Sequence, residues 1–259
     1  MTEASTPPVL TIAGDRATIR LARPAQHNRL EPGDLRVLLA HLDRVATDRA
    51  IRVLVLTGTG RTFCAGYDIG ALGRGEVPVG DGDSPPQFGH VVDRFEDLGL
   101  PTIAALNGGV YGGGTDLALA CDFRIGVDTA RMFMPAARLG LQYYASGQRR
   151  YVERLGLAAA KRLFLTGETL DSAEMLRIGY LDAVVPADRL AERVDALAAS
   201  LATGAPAAVA GMKRTLNAIA RGALDPAAAD AAYAASIRSE DAAEGVRAWQ
   251  EKRPPVFRR

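Results

Sequence analysis

Three consecutive glycines at residues 112–114 restrict this chain more than any other feature, because they stand between two apolar segments. Residues 102–106 have the length and the β-branched content of a buried strand. Residues 117–120 are small and apolar, which suits a helix packed in a core. The glycines therefore mark a strand-to-helix turn where no Cβ blocks a ligand. The free N–H groups of a helix start favour an oxygen that develops negative charge.

The residues around the glycines indicate which kind of oxygen binds there. They match neither the P-loop spacing nor Gly-x-Gly-x-x-Gly, and no basic residue lies among them, so a carbonyl that becomes an oxyanion fits better than a phosphate. Asp116 follows Gly113 by three residues, which places its carboxylate on the same helix face, one turn on. This spacing predicts acid–base chemistry beside an activated carbonyl. Two alternatives stay open: Asp116 could serve only the helix dipole, and the glycines could serve only close packing.

Composition argues against several functional classes. The net charge of +1 gives no electrostatic reason to expect nucleic acid or an anionic membrane as a partner. The first eight residues are polar and no long uncharged apolar stretch follows, so we expect no signal peptide, no transmembrane helix and a cytoplasmic location. The two cysteines and three histidines lack metal-binding spacing, so no metal site is expected.

The order of the predicted elements indicates an α/β protein. A hairpin at residues 9–21, a helix at 32–46 and a buried strand at 53–57 are followed by further alternating strands and helices up to residue 185. Only helices are predicted after that point. The chain is therefore divided into an α/β core, residues 1–186, and a helical C-terminal region, residues 187–259. A second glycine-bearing stretch, residues 58–69, follows the strand at 53–57.

The two glycine stretches and the tail resemble the crotonase superfamily, also called the enoyl-CoA hydratase/isomerase family. The resemblance is carried, in one order along nearly the whole chain, by residues 56–69, 103–122, 166–168, 173–181 and 241–254. It implies a crotonase-like spiral of ββα units with a C-terminal helical trimerisation region. It also implies a homotrimer or a dimer of trimers.

The resemblance further implies acyl-CoA thioester substrates, with coenzyme A entering as part of the substrate and no permanently bound cofactor. The backbone N–H groups of Tyr67 and Gly113 would donate to the thioester oxygen. Further residues would bind coenzyme A: Ala25, Gln26, His27, Ala65 and Ile69 along a groove, with Trp249 and Lys252 reaching the nucleotide from the tail or across a subunit boundary.

One departure from the family pattern limits what can be carried over. Hydratases of this family use two glutamates to hold and activate a water. The first falls on Asp116 here, and the second falls on Ala136, which cannot move a proton. Tyr144 is a candidate catalytic neighbour of Asp116, although a tyrosine that titrates near pH 10 is a poor donor at neutrality and could equally form a pocket wall. Other possible neighbours are Tyr143, Arg138, Gln142 and His90.

Three functions remain compatible with these residues. The first is an enzyme in which Asp116 alone moves a proton at the α or γ carbon of a thioester enolate, in hydration, dehydration or double-bond isomerisation. The second is a catalytically silent acyl-CoA-binding protein. The third is a hydrolase, decarboxylase or dehalogenase on the same platform.

Overall fold

The computed structural model describes residues 5–68, 70 and 87–257, which form two β-sheets surrounded by helices. The strands are β1 (Val9–Ala13), β2 (Arg16–Leu21), β3 (Val53–Gly58), β4 (Thr62–Cys64), β5 (Thr102–Leu106), β6 (Gly109–Tyr111), β7 (Phe123–Val127), β8 (Arg131–Phe133), β9 (Leu170–Asp171) and β10 (Ala183–Val185). The α-helices within these ranges are α1 (Pro32–Thr47), α2 (Phe88–Glu96), α3 (Gly113–Ala120), α4 (Ala145–Lys161), α5 (Ser172–Arg177), α6 (Leu190–Ala202), α7 (Pro206–Ala220), α8 (Pro226–Ile237) and α9 (Glu240–Gln250).

From β3 to β8, successive strands alternate between the two sheets. The larger sheet has the order β1-β2-β3-β5-β7-β10 and the smaller one β4-β6-β8-β9. Pairing is parallel except for β1 with β2 and β8 with β9. Two strands, one in each sheet, are therefore followed by a helix in β5-β6-α3 and again in β7-β8-α4. The predicted α/β spiral of ββα units is confirmed.

The larger sheet supplies the core because its central strands are apolar throughout. All five residues of β5 are buried, and so are five of the six in β3. Strands of a parallel sheet covered on both faces read as such continuous apolar runs, which is why the sequence predicted them. Leu35, Leu38 and Leu42 of α1 belong to the same core.

Strands β4 and β6 of the smaller sheet were not predicted individually. They lie inside the glycine-bearing segments 58–69 and 103–122. Each has only three residues, too few for an alternating pattern to be recognised. Helix α4 is kinked at Gly156, whose φ of 81° is not helical.

The C-terminal part consists of helices α6 to α9, as predicted. Helix α6 contributes Leu190, Val194 and Ala198 to the common hydrophobic core. The division at residue 187 stays a prediction. No single helix among residues 5–68, 70 and 87–257 has the length and apolarity to cross a membrane; residues 187–202 and 206–220, bent by 105°, meet that test only as a pair.

We predict that Gly114→Ala destabilises the protein, by about 1–3 kcal/mol, because overpacking a dense core forces neighbouring atoms to move. A Cβ on Gly114 would lie 2.8 Å from both the Cβ and the carbonyl oxygen of Cys64. Urea unfolding followed by circular dichroism measures the change. The matched control is Gly33→Ala in helix α1, where a Cβ meets no atom within 4 Å. This control should gain about 0.4–1 kcal/mol. Equal effects of the two substitutions would contradict the prediction.

Candidate functional site

The two glycine-bearing loops meet because β4 and β6 are parallel neighbours. Cys64 at the end of β4 pairs with Val110 in β6, so the segments that follow both strands leave the sheet side by side. A Cβ on Gly66 would lie 2.9 Å from the backbone nitrogen of Gly113, and Gly66 has φ 91°. Only glycine combines this approach with this conformation. The structure thus places Tyr67, the next residue, close to Gly113.

Gly113 is the first residue of α3, where the N–H groups have no partner in the preceding turn. Within the described part of the chain, no backbone acceptor takes the Gly113 N–H. The helix is held in place by the hydroxyl of Tyr180, which donates to the Thr115 carbonyl at 2.8 Å. The Thr115 hydroxyl in turn bonds that of Tyr151. The donor predicted at this helix start is therefore on a buried, anchored element.

A groove of about 760 Å³ opens beside Tyr67. It forms because residues 27–30 run along the loop after β4: the Ala65 N–H donates to the His27 carbonyl at 2.9 Å, and the Leu30 N–H donates to that of Gly66 at 2.8 Å. Its lining is Gln26, Arg29, Glu31, Pro32, Ala65, Tyr67, Asp68 and Gly70.

Two of the residues predicted to bind coenzyme A, Gln26 and Ala65, line this groove, while Ala25 and His27 lie in or next to the 3₁₀ turn Pro24–Gln26 at its side. Ile69 lies outside the described residues. The side chain of Trp249 is exposed on α9, and Lys252 follows that helix; neither lines the groove. The roles of all these residues stay predictions.

The Asp116 carboxylate is completely buried, which the sequence analysis did not predict. Its Oδ1 accepts from Arg150 Nη1 at 2.6 Å. Its Oδ2 accepts from the hydroxyl of Tyr144 and, at 3.2 Å, from that of Tyr143. Tyr144 is only half-buried, so the phenol is the more accessible end of this arrangement.

Arg150 joins Asp116 to helix α2. Its guanidinium is fully buried and also contacts Asp93 at 2.5 Å and Glu96 at 3.2 Å. Asp93 and Glu96 project from α2, Asp116 from α3 and Arg150 from α4. One cation thus links three helices through three carboxylates, and this arrangement is called the Arg150 cluster below.

Burial and the neighbouring cations act in opposite directions on the pKa values of Asp116 and Glu96. Burial raises the pKa of the Asp116 carboxyl above its ordinary value, and the Arg150 charge and the tyrosine hydrogen bonds oppose that rise. Burial and the Asp116 charge raise the pKa of Tyr144 well above its ordinary value, so its phenol stays protonated. Although burial works the other way, the arginines around Glu96, Arg150 foremost, lower its pKa to about 2.

Ala136 lies next to the glycine turn. A Cβ on Gly112 would be 3.8 Å from the Pro135 ring, and the Gly112 N–H donates to the Phe133 carbonyl at 3.0 Å. Ala136 itself is buried, with 6% exposure. Among the described residues, no group of three His, Cys, Asp or Glu side chains could hold a metal ion.

A family model described as Enoyl-CoA hydratase/isomerase matches residues 13–259. The chain belongs to the enoyl-CoA hydratase/isomerase family. Membership of the crotonase superfamily, inferred above from the glycine stretches and the tail, is thereby confirmed.

The relatives below align with nearly the whole length of this chain. Carnitinyl-CoA dehydratase of Proteus mirabilis is 34% identical over 96% of this chain and 97% of the relative. The 2,3-dehydroadipyl-CoA hydratase of Escherichia coli K12 is 31% identical over 93% and 94%. A crystal structure of a putative enoyl-CoA hydratase from Streptomyces coelicolor is 33% identical, superposes with a TM-score of 0.87 and covers 100% and 96% of the two chains.

The sequence analysis did not identify two residues of the site, Arg150 and Phe88. Arg150 was not singled out, because an arginine on a helix is most often solvent-exposed. Phe88 was not singled out either, yet its ring packs against Gly113. The only sequence signal for the role of Phe88 is the glycine that follows it, Gly89. This pair of residues does not by itself indicate a contact with Gly113.

We expect Arg150→Met to destabilise the protein by about 3–5 kcal/mol, because removing one partner of a buried ion pair leaves uncompensated charge. Here three carboxylates lose the same cation. Chemical unfolding monitored by circular dichroism gives the loss. The control is Arg149→Met, because Arg149 pairs with Glu96 and Glu153 but is 27% exposed. It should cost about 1 kcal/mol or less. A loss for Arg150→Met no larger than for the control would contradict the assignment of the cluster as a structural centre.

The pKa of Glu96 predicts an acid-sensitive stability. Because the folded-state pKa is about 2 against an ordinary 4.5, the stabilisation is present above pH 4.5 and is lost as the pH falls towards 2. The loss should amount to about 3 kcal/mol. Free energies of unfolding measured across that range for the wild-type chain and for Glu96→Gln test this. The variant should show a flatter pH dependence, and parallel curves would refute the prediction.

Proposed function

We propose that this chain binds an acyl-CoA thioester and moves a proton at a carbon near the thioester, in hydration, dehydration or double-bond isomerisation. The thioester oxygen would accept hydrogen bonds from the N–H groups of Tyr67 and Gly113. The proposal is supported by the family, by relatives named as a CoA dehydratase and a CoA hydratase, and by the meeting of the two glycine loops. Backbone donors of this kind each contribute about 2.7–4 kcal/mol to transition-state stabilisation.

The observation that carries the proposed mechanism is the hydrogen bond from the Tyr144 hydroxyl to Asp116. Because Asp116 is buried and Tyr144 is half-buried, we infer that the carboxylate acts through the phenol. When the substrate loses a proton, the Tyr144 oxygen takes it while the original phenol proton passes to Asp116. In the reverse step Asp116 returns a proton to Tyr144 as the phenol protonates the enolate carbon. Tyr144 is neutral before and after both steps.

The electrostatics favour this relay over a free phenolate. The raised pKa of Tyr144 keeps it a donor, and burial, by raising the pKa of Asp116, makes this carboxylate a better proton acceptor. The two tyrosines and Arg150 also stabilise the ionised carboxylate. Ala136 supplies no second acid, so addition of water to an enoyl thioester is expected to be slow.

A second function, a catalytically silent acyl-CoA-binding protein, is favoured by one observation. Both oxygens of Asp116 are already occupied by Arg150 and the tyrosines, and the carboxylate has no solvent exposure. A carboxylate so fully engaged can be purely structural. The two functions differ in turnover rather than in ligand.

The C-terminal helices support the proposal of a homotrimer or a dimer of trimers. They carry large apolar side chains that this single chain leaves exposed, and a second copy would cover them. These are Met212, Leu216, Ile219, Tyr233, Ile237 and Val246. In such an assembly the exposed Trp249 and Lys252 would reach the nucleotide part of coenzyme A on a neighbouring subunit. We also propose a cytoplasmic location, which is the expectation from the sequence.

We predict that the chain hydrates crotonyl-CoA slowly and that Asp116→Asn lowers kcat by about 10²–10⁴-fold, the usual contribution of a general acid–base group. Affinity for butyryl-CoA should remain nearly unchanged. Turnover is followed by mass spectrometry of the thioesters and affinity by calorimetry. Tyr144→Phe should lose turnover in the same way, because it breaks the relay. Ala136→Glu, which restores a second acid, should raise the rate.

The matched control for this test is Asp195→Asn, because Asp195 is an exposed carboxylate on α6 that pairs with Arg16, the first residue of β2. It should keep the wild-type rate. Fast hydration by the unchanged chain would contradict the role given to a single acid. Binding without turnover of any thioester in an acyl-CoA screen would favour the silent binding protein.

A further inference from the structure

The ring of Phe88 covers one side of the glycine turn. A Cβ on Gly113 would lie 2.9 Å from the Cζ atom and 3.1 Å from the Cε1 atom of this ring. The backbone of Gly113 is thus in direct contact with a side chain from helix α2. The ring therefore lies beside the residue whose N–H is proposed to bind the thioester oxygen.

Phe88 also lies between the two ends of the proposed reaction site. Its ring centre is 6.0 Å from that of Tyr67 and 6.2 Å from that of Tyr144, with which it makes an edge-to-face contact at 77°. Such pairs prefer these distances and angles. A row of rings therefore runs from the predicted oxyanion donor at Tyr67 to the phenol that is bonded to Asp116, and Phe88 is its middle member.

The position of Phe88 is fixed by the helix that carries it. Next to it, a Cβ on Gly89 would lie 2.8 Å from the Tyr144 ring, so this glycine is needed for Tyr144 to approach α2. Further along α2, Val91, Val92 and Phe95 are fully buried. Asp93 and Glu96 tie the same helix to Arg150. Moving the ring away as a unit with α2 would disrupt this packing and the Arg150 cluster.

From these contacts we propose that Phe88 sets the size of the acyl group. The ring fills the space that a longer or branched chain needs after its first carbons, so the protein selects short, unbranched acyl-CoA thioesters. The inference rests on the proposed function, because it assumes a thioester oxygen at Gly113. It names the substrate class of that same site and the residue that decides it.

The test is a series of saturated thioesters, which cannot undergo hydration: acetyl-, butyryl-, hexanoyl- and octanoyl-CoA, with free coenzyme A as reference. Dissociation constants are measured by calorimetry for the wild-type chain, Phe88→Ala and Phe88→Trp. The wild-type chain should bind butyryl-CoA about tenfold more tightly than octanoyl-CoA, since a misfit of a few methylenes in a packed pocket costs at least this much. Phe88→Ala should abolish or reverse that ratio. Phe88→Trp should shift the preference towards acetyl-CoA.

The control is Val91→Ala, a truncation in the same helix at a fully buried position. It should lower Tm and leave the order of affinities unchanged, which separates a loss of packing from a change in selectivity. An unchanged series of affinities in both Phe88 variants would overturn the inference while leaving the proposed function intact. If neither coenzyme A nor any thioester binds to any of these proteins, the proposed function fails, and the inference fails with it.

Discussion

The rest of the site depends on one buried cation. Arg150 contacts carboxylates from two other helices, and the two tyrosines that donate to Asp116 directly precede its own helix, α4. A guanidinium without solvent is costly unless its partners are held in place, and the buried Asp116 carboxylate depends in turn on this cation. Helices α2, α3 and α4 are therefore fixed relative to one another by charge as well as by apolar packing. Any chemistry at Asp116 takes place inside this constraint.

The second determinant is the alternation of strands between two sheets. Since β4 and β6 are short and parallel, the loops that follow them emerge as neighbours and at the same level. Glycine at position 66 then allows the two backbones to touch. The geometry proposed for the oxyanion hole thus follows from topology combined with the absence of a side chain at this position. Because the proposed donor at position 67 is a backbone N–H, it does not depend on the type of side chain there.

The long apolar strands and the helix after the glycines could be predicted because a buried parallel strand or core helix leaves its pattern in adjacent residues. The pairing of Tyr67 with Gly113 was expected only through a family resemblance, and the contact seen in the structure is that of the preceding residue, Gly66, with the Gly113 nitrogen. The Arg150 cluster could not be predicted. The partners of Arg150 stand 34, 54 and 57 residues away in sequence, and no local pattern joins them. For the same reason the complete burial of Asp116 by distant residues was not predicted.

The thiol of Cys64 lies directly beneath the meeting point of the two loops. It is fully buried, accepts from the Gly66 N–H at 3.3 Å, and burial raises its pKa to about 12. A thiol of this kind reacts with alkylating reagents only when the surrounding structure opens. The reactivity of the Cys64 thiol therefore measures local opening of the structure where the two loops meet. Its rate of alkylation, with and without a bound thioester, reports how firmly a ligand closes the loops.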